Sequence, residues 1–503
     1  FGILSANAIE YSTKIFCWIF SIICMMVCGI ISNVLKSKKA CILNIIGLSL
    51  CLVMNFALLV YLLQNPQQIT FMMGHFPAPW GNEIRFGPLE ALLATVFTFV
   101  MLVSLVTGRH DIFTDIPDRK INMYYVMVNL LMTSLYALVY TNDLFTAYVF
   151  VEINTLTACA IVMAKENGQT ITATIKYLIM SLLGSGLFLI SIILIYDLTG
   201  HLLMVNIHAA MMELMADRSY KLPVTIIVGL LSVGMAIKSA LFPFHSWLSG
   251  AHGSATTPSS AILSGLVLKG YIVLLIKVYY RVLGTEIVAS LKVCNVLFVL
   301  AILAMIIGSL DAIKETHIKR MIAYSSVAQM GYIYAGISLG TNAGYIAAFF
   351  HMIVHALTKS MLFSSAGGLA TASDHKYHFK ELEGSAYRNP IAAVAFVIGS
   401  LSMIGIPFFA GFGAKYYLVV AAMTNKSKMW VVLFTLAIST VLNAIYYINA
   451  IACIFSRTGT DLAKRKNPKT YTFGMAVFII ANVALGLFYQ KIVDIIVLGI
   501  NFL

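Results

Sequence analysis

Charge is what this chain has least of. Only 11% of its 503 residues are Asp, Glu, Lys or Arg, against roughly a quarter in a water-soluble domain, which excludes a wetted surface wrapped round an ordinary core. Acidic residues are the scarcest, 20 against 33 Lys and Arg, leaving a formal net charge of +13. The eight cysteines, Cys17, Cys24, Cys28, Cys41, Cys51, Cys159, Cys294 and Cys453, lie mostly in apolar runs without a CxxC pair, so a zinc or iron–sulfur site is not expected. No GxxxxGK[ST] loop or cofactor motif occurs. Neither ATP hydrolysis nor redox chemistry is therefore expected in this chain, and no cofactor.

What the chain has is apolar length. Hydrophobic residues make up 60% of it, in recurring runs of about twenty, each enough to cross a hydrocarbon core roughly 30 Å thick as a helix. The fold class expected is all-α integral membrane, with about fourteen spans near 13–35, 41–63, 87–107, 121–140, 143–164, 170–197, 222–246, 255–280, 287–309, 320–340, 342–370, 390–421, 429–455 and 471–500. Residues 66–86, centred on PAPWGN, are expected to form a hairpin, and 201–218 a short interfacial helix. Loops after odd-numbered spans carry most of the basic residues, among them Lys36, Arg109, Arg119, Lys314, Lys376, Arg457, Arg465 and Lys466. The positive-inside rule then turns both termini outward from the cell membrane. The same bias, rather than nucleic acid, accounts for the net charge.

Two spans are interrupted. The seventh reads GMAIKSALFPFHSW, where Pro243 removes an N–H from the helix ladder; the twelfth reads MIGIPFFAGFGAKYY, with Pro407, Gly411 and Gly413 close together. Helix breaks in lipid survive only where protein or water satisfies the freed backbone. One break in each half suggests an internal inverted repeat, as in many transporters.

Charges inside the spans carry the functional argument. Glu152, Lys238, Lys269, Lys359 and Lys415 all fall well within apolar runs, each opposing insertion by roughly 2.5–3.5 kcal/mol unless paired or wetted. Glu152 is too short-armed to snorkel, and Lys238 is its obvious counter-charge. Burial favours a neutral amine and a nearby carboxylate favours the ammonium, so a chain of such lysines can pass a proton on. His351, His355 and Lys359 recur at four-residue spacing and share one helix face. HMIVH lacks the glutamate of HExxH and a third ligand, so exchangeable protons rather than metal are expected there. Lys176, His245 and His252 are weaker candidates, an interfacial anchor and two loop histidines being the alternatives. Buried charges that merely pin helices, or a membrane-embedded enzyme using His351 or His355 as base, are the rival readings; the second leaves the lysines unexplained.

These residues carry a resemblance. MAIKSALFPFHSWLSGAHGSATTPSSAILSGLVLKG, DLFTAYVFVEINTLTA, IKRMIAYSSVAQMGY, HALTKSMLFSSAG and IGIPFFAGFGAKYY resemble motifs of the antiporter-like subunits shared by Mrp-type Na+/H+ antiporters, complex I and membrane-bound hydrogenases, from about the third span to the thirteenth. The resemblance implies fourteen helices in two inverted five-helix repeats with broken helices 7 and 12. It divides the chain into 1–120, 121–285, 286–456 and 457–503. It places the Glu–Lys pair at Glu152 and Lys238, the bridging lysine at Lys269, the central relay at His355 and Lys359 with His351 as an extension, and the exit at Lys415. Lysine at 415 and FPAPWGN most resemble the D-type member of the Mrp antiporters, whereas Ser249-Gly250 after Trp247-Leu248 departs from the family pattern. A proton-translocating subunit is implied, whose partners are other membrane subunits, either of a cation/proton antiporter or of a complex I-like or hydrogenase-like complex with an iron–sulfur redox arm. Any sodium site is expected in a neighbouring subunit. With the last apolar run read as the fourteenth span, the lateral helix of the largest members is not expected.

Overall fold

The computed structural model describes residues 6–73, 76, 82–457, 464 and 466–503, with side chains from Ile19 onward. The Cys17 side chain, the PAPWG tip at 77–81 and Arg465 lie outside what is described. Apolar runs fold as helices because a helix satisfies its own backbone polar groups where lipid offers no partner. In order these are α1 (Ala6–Val34), α2 (Ser37–Gln64), α3 (Pro88–Thr107), α4 (Arg109–Asp115), α5 (Asp118–Tyr140), α6 (Leu144–Met163), α7 (Gly168–Thr199), α8 (Met204–Leu214), α9 (Lys221–Lys238), α10 (Ser246–Ser254) and α11 (Thr257–Ile262). Then follow α12 (Leu268–Lys277), α13 (Gly284–Ser290), α14 (Val293–Lys314), α15 (Ile318–Ser338), α16 (Asn342–Thr371), α17 (Ser385–Arg388), α18 (Pro390–Ile404), α19 (Ala410–Met423), α20 (Lys426–Ile454), α21 (Lys469–Leu487) and α22 (Tyr489–Ile500). Strands β1 (Ile69–Met72) and β2 (Glu83–Phe86) pair antiparallel, with Ile69 opposite Phe86, as the base of the expected hairpin.

Among the described residues, eleven helical segments are long and apolar enough to cross a membrane. The other three expected spans are helical too: α1, whose apolar part runs Ile19–Val34; the short pair α18 and α19; and α15, whose polar residues are tolerated because nearly the whole helix is buried. Burial separates an inner set from an outer one. The most apolar stretch of Thr257–Ser290 is 100% buried and that of α16 94%, against 39% for α2, α7, α20 and α21. The helices that carry Lys269 and the His351/His355/Lys359 face are thus walled from lipid by protein.

The breaks differ in detail from expectation. The seventh span does not run on to 246: α9 stops at Lys238, because the Pro243 ring excludes a helical carbonyl at Ser239. The chain turns through Ala240 (φ 56°) and resumes as α10. In the twelfth span α18 stops at Gly405, whose φ of 92° is open to glycine without strain. Gly411 and Gly413, expected in the break, lie one turn into α19 instead. There the missing side chain of Gly411 admits the Ser402 carbonyl, and that of Gly413 admits the Tyr489 ring. The fourteenth span is not one helix: α21 ends where Gly486 meets the Phe408 carbonyl, and the separate α22 packs on α3 and α16. The stretch 255–280 holds two π-helical segments, Leu263–Val267 and Val278–Leu283, that no sequence pattern announces. Outside the spans, Lys120 and Arg119 hold the Glu166 carboxyl below its ordinary pKa and tie the α6–α7 turn to the start of α5.

Candidate functional site

Glycine packing brings the first pair together. Gly184 of α7 and Gly234 of α9 each face the other's carbonyl, and this close crossing sets Lys238 beside α6 and α7. Lys238 Nζ lies 3.4 Å from Glu152 Oε1 and donates to Thr155 Oγ1 at 2.8 Å. The lysine side chain is fully enclosed while the glutamate is 22% exposed, with Ser185 of α7 donating to the carboxylate. Thr155 Oγ1 also meets the Tyr271 hydroxyl of α12 at 3.0 Å, and the ammonium sits 5.3 Å from the Tyr271 ring centroid. The pair is therefore in contact with the helix that carries the next lysine.

Lys269 donates to the Ser264 carbonyl inside the first π segment and lies 2.5 Å from Nδ1 of His355. A π turn shifts backbone pairing by one residue and frees carbonyls for such use. Lys359, one turn beyond His355, donates to the Ile322 carbonyl at 3.0 Å, to Ser325 Oγ, and to the Tyr447 hydroxyl at 3.2 Å. His351 turns elsewhere, its Nε2 2.8 Å from Gln329 Oε1 and its ring 5.3 Å from that of Tyr332. His351 and His355 thus do not converge on one point. Among the described residues no carboxylate lies within ion-pair distance of Lys269, Lys359 or Lys415.

Lys415 reaches back across the break. Its Nζ donates to the Ile404 carbonyl at 2.7 Å and to Thr440 Oγ1 at 2.8 Å, while its stem lies against Gly405. Between Lys359 and Lys415 runs a series of neutral polar groups that the sequence did not single out. The Tyr446 hydroxyl donates to Asn443 Oδ1 at 2.8 Å, beside Tyr447, whose hydroxyl lies 2.9 Å from Ser325 Oγ. Asn443 Nδ2 donates to the Tyr332 hydroxyl at 3.3 Å, and the Tyr332 hydroxyl donates in turn to Ser439 Oγ at 2.8 Å. The Tyr332 ring lies 5.4 Å from Lys415 Nζ. These residues escaped notice because Ser, Thr, Asn and Tyr enter apolar helices at little cost; only their convergence from α15 and α20 marks them.

The weaker candidates separate. Lys176 sits on the exposed face of α7, away from the row. His245, half-buried at the start of α10, has Nε2 3.6 Å from Asp311. His252 is a fully buried histidine rather than a loop one. It stacks on Phe363 with ring centroids 4.6 Å apart, and neither ring nitrogen meets a protein partner. A second buried cluster lay outside the sequence reading. Lys277 donates to the carbonyls of Val139 (2.8 Å) and Thr141 (2.5 Å), and Arg281 pairs with Glu90.

The family model described as NADH:quinone oxidoreductase/Mrp antiporter, TM, matches residues 141–442, which hold Glu152, Lys238, Lys269, His351, His355, Lys359 and Lys415. NADH-quinone oxidoreductase subunit N of Desulforudis audaxviator is 30% identical over 439 residues, 84% of this chain and 85% of that one. The putative antiporter subunit mnhD2 of Staphylococcus aureus (strain MRSA252) is 24% identical over 437 residues, 86% of this chain and 85% of that one. The fold matches a chain of the Mrp complex from Dietzia sp. DQ12-45-1b with a TM-score of 0.87 at 22% identity, covering 97% of both.

Proposed function

Because the chain belongs to the NADH:quinone oxidoreductase/Mrp antiporter transmembrane family and is an antiporter-like subunit of it, we propose that it carries protons along the row from Lys238 to Lys415. The observation that carries this reading is placement: the Lys269–His355 contact of 2.5 Å and the bonds from Tyr446 through Asn443 and Tyr332 to Ser439 lie among lysines that have no counter-ion among the described residues. Glu152 and Lys238 act as the gate. While the carboxylate stays close, the lysine keeps its proton; when it withdraws, burial favours the neutral amine and the proton moves toward Lys269. A potential of 100 mV opposes each charge by about 2.3 kcal/mol, so a change of about fifty-fold in proton affinity at Lys238 is enough to drive the step.

Residues 121–285 and 286–456 form the two inverted repeats of this reading, each with one helix break. The chain sits in the cell membrane with both termini outside, as the basic loops favour. Other membrane subunits complete the complex, and a sodium site, where one exists, lies in them, since a row of lysines repels the ion. Two driving forces remain in play. The likeness to mnhD2 favours a cation/proton antiporter in which this chain is the D-type member of an Mrp assembly. The identity with the NADH-quinone oxidoreductase relative favours a redox-driven complex with an iron–sulfur arm; the proteins that co-purify in mild detergent decide between them. The proton path itself is tested with Glu152→Gln and Lys238→Ala in the reconstituted complex. Loss of proton uptake with normal assembly is expected, and full coupling in both variants would falsify it.

A further inference from the structure

Where α3 ends and α21 begins, a cavity of about 510 Å3 is lined by His110, Lys466 and Lys469, with Thr371 and Asn467 beside them. Burial and the nearby Asp115 push the neighbouring Asp111 carboxyl above its ordinary pKa. An apolar groove of about 270 Å3 lies between α2, α3 and α21, with Val106 and Phe473 in its wall. It shares Leu52 and Phe99 with a second apolar cavity, of about 460 Å3, that ends on Leu357 of α16. Helical register joins the basic cavity to the groove. Lys469 stands four residues before Phe473 on α21, so it lies one turn beyond an apolar wall residue on the same face, while His110 follows Val106 across the Gly108 break that starts α4. Among the described lining residues the hydroxyls of the groove are Ser49 and Thr95, which donate to the carbonyls of Ile45 and Ala91 in their own helices.

We propose that this combined cleft binds an anionic phospholipid, with its phosphate among His110, Lys466 and Lys469 and one acyl chain laid along α2 and α3. Length selects this occupant. The α2 wall runs from Ile45 to Phe56, about 16 Å of helix, which matches one leaflet of a core roughly 30 Å thick; a partner's transmembrane helix needs the full thickness. Charge selects it again, since the cations stand at one end of an otherwise apolar groove, where a headgroup sits and a neutral lipid has no use for them. The bound chain closes the crevice that reaches Leu357, on the helix that carries His355 and Lys359.

The test uses the full chain purified with its partner subunits in mild detergent, delipidated, and titrated with phosphatidylglycerol, phosphatidylcholine or inorganic phosphate while bound lipid is read by native mass spectrometry. Lys466→Gln/Lys469→Gln is expected to weaken phosphatidylglycerol binding about thirty-fold, at about 1 kcal/mol for each basic residue near the surface. Phosphatidylcholine binding should not change. Val96→Trp, which fills the groove and leaves the cations intact, is expected to expel the acyl chain and lower phosphatidylglycerol retention at least ten-fold. Equal retention of the two lipids by the unaltered complex means ordinary surrounding lipid and overturns the proposal. So does displacement of phosphatidylglycerol by millimolar phosphate, which means an ion site only, or cross-linking from position 96 to a partner subunit's helix.

Discussion

The contact between Lys269 and His355 is the narrowest point of the row, and its removal can be given a magnitude. Nζ and Nδ1 are 2.5 Å apart, both side chains are fully buried, and among the described residues His355 Nε2 meets no protein partner. A hydrogen bond involving a charged group contributes about 1.5–3 kcal/mol. If that contribution is expressed in the transfer step, Lys269→Met or His355→Leu slows transfer about 10- to 150-fold. The decisive quantity is the double variant. If the proton passes directly between these two atoms, the second substitution removes nothing more, and the coupling energy of the cycle equals the single effect, about 1.5–3 kcal/mol. If each contributes independently to the transfer barrier, the effects multiply to about 100-fold at the least. Proton uptake into liposomes carrying the complex, driven by an imposed ion gradient and followed with a pH-sensitive dye, gives the rates, with elution profiles confirming assembly. Multiplicative losses would refute direct transfer.

Gly405→Ala places a β-carbon 2.8 Å from the Lys415 stem at a φ of 92°; a loss of about 1–3 kcal/mol is expected, read as a fall of several degrees in the thermal inactivation midpoint, together with slower proton release. Asn443→Leu removes both bonds between Tyr446 and Tyr332 and is expected to cut proton uptake about ten-fold with assembly intact, whereas Lys176→Gln, on the exposed face of α7, should leave it unchanged; comparable losses in both would break the assignment of the path. Glu90→Gln strips a buried arginine of its partner and should destabilise the complex by about 3–5 kcal/mol in denaturant melts, while Glu90→Met/Arg281→Leu should recover most of it.

The lysines were legible because each is an expensive exception inside an apolar run, and the breaks because Pro243 and Pro407 cannot continue a helix. The groups between the lysines were not legible. Ser325, Tyr332, Asn443 and Tyr446 come from α15 and α20, more than a hundred residues apart in sequence, and a residue type that lipid tolerates sends no signal until its partner is known. Lys277 and Arg281 near the end of an apolar run resemble interfacial anchors, yet both are buried. Lys176 is the converse case. Hydropathy registers depth along a helix but not which side faces out, so a lysine on the outer face of α7 cannot be told from one turned inward.

How the buried ammonium groups are compensated explains why the row suits exchange rather than storage. Lys415 is held by the Ile404 carbonyl at the end of α18, Lys269 by the Ser264 carbonyl in a π segment, and Lys359 by the Ile322 carbonyl and hydroxyls. Lys277, outside the row, takes carbonyls at the end of α5 in the same manner. A helix end presents partial negative charge, about half an elementary charge spread over its last carbonyls, and a carbonyl accepts a hydrogen bond from a neutral amine as well as from an ammonium. Losing the proton therefore leaves no orphaned acceptor of full charge. A carboxylate in the same place would favour only the protonated form and trap it. Lys238 is the one member of the row with a carboxylate within reach, and that carboxylate, alone in the row, is partly exposed and joined to a different helix through Ser185. The step that needs gating is the step with a movable full charge, and the steps beyond it are lined by dipoles that favour the ammonium less strongly than a carboxylate would.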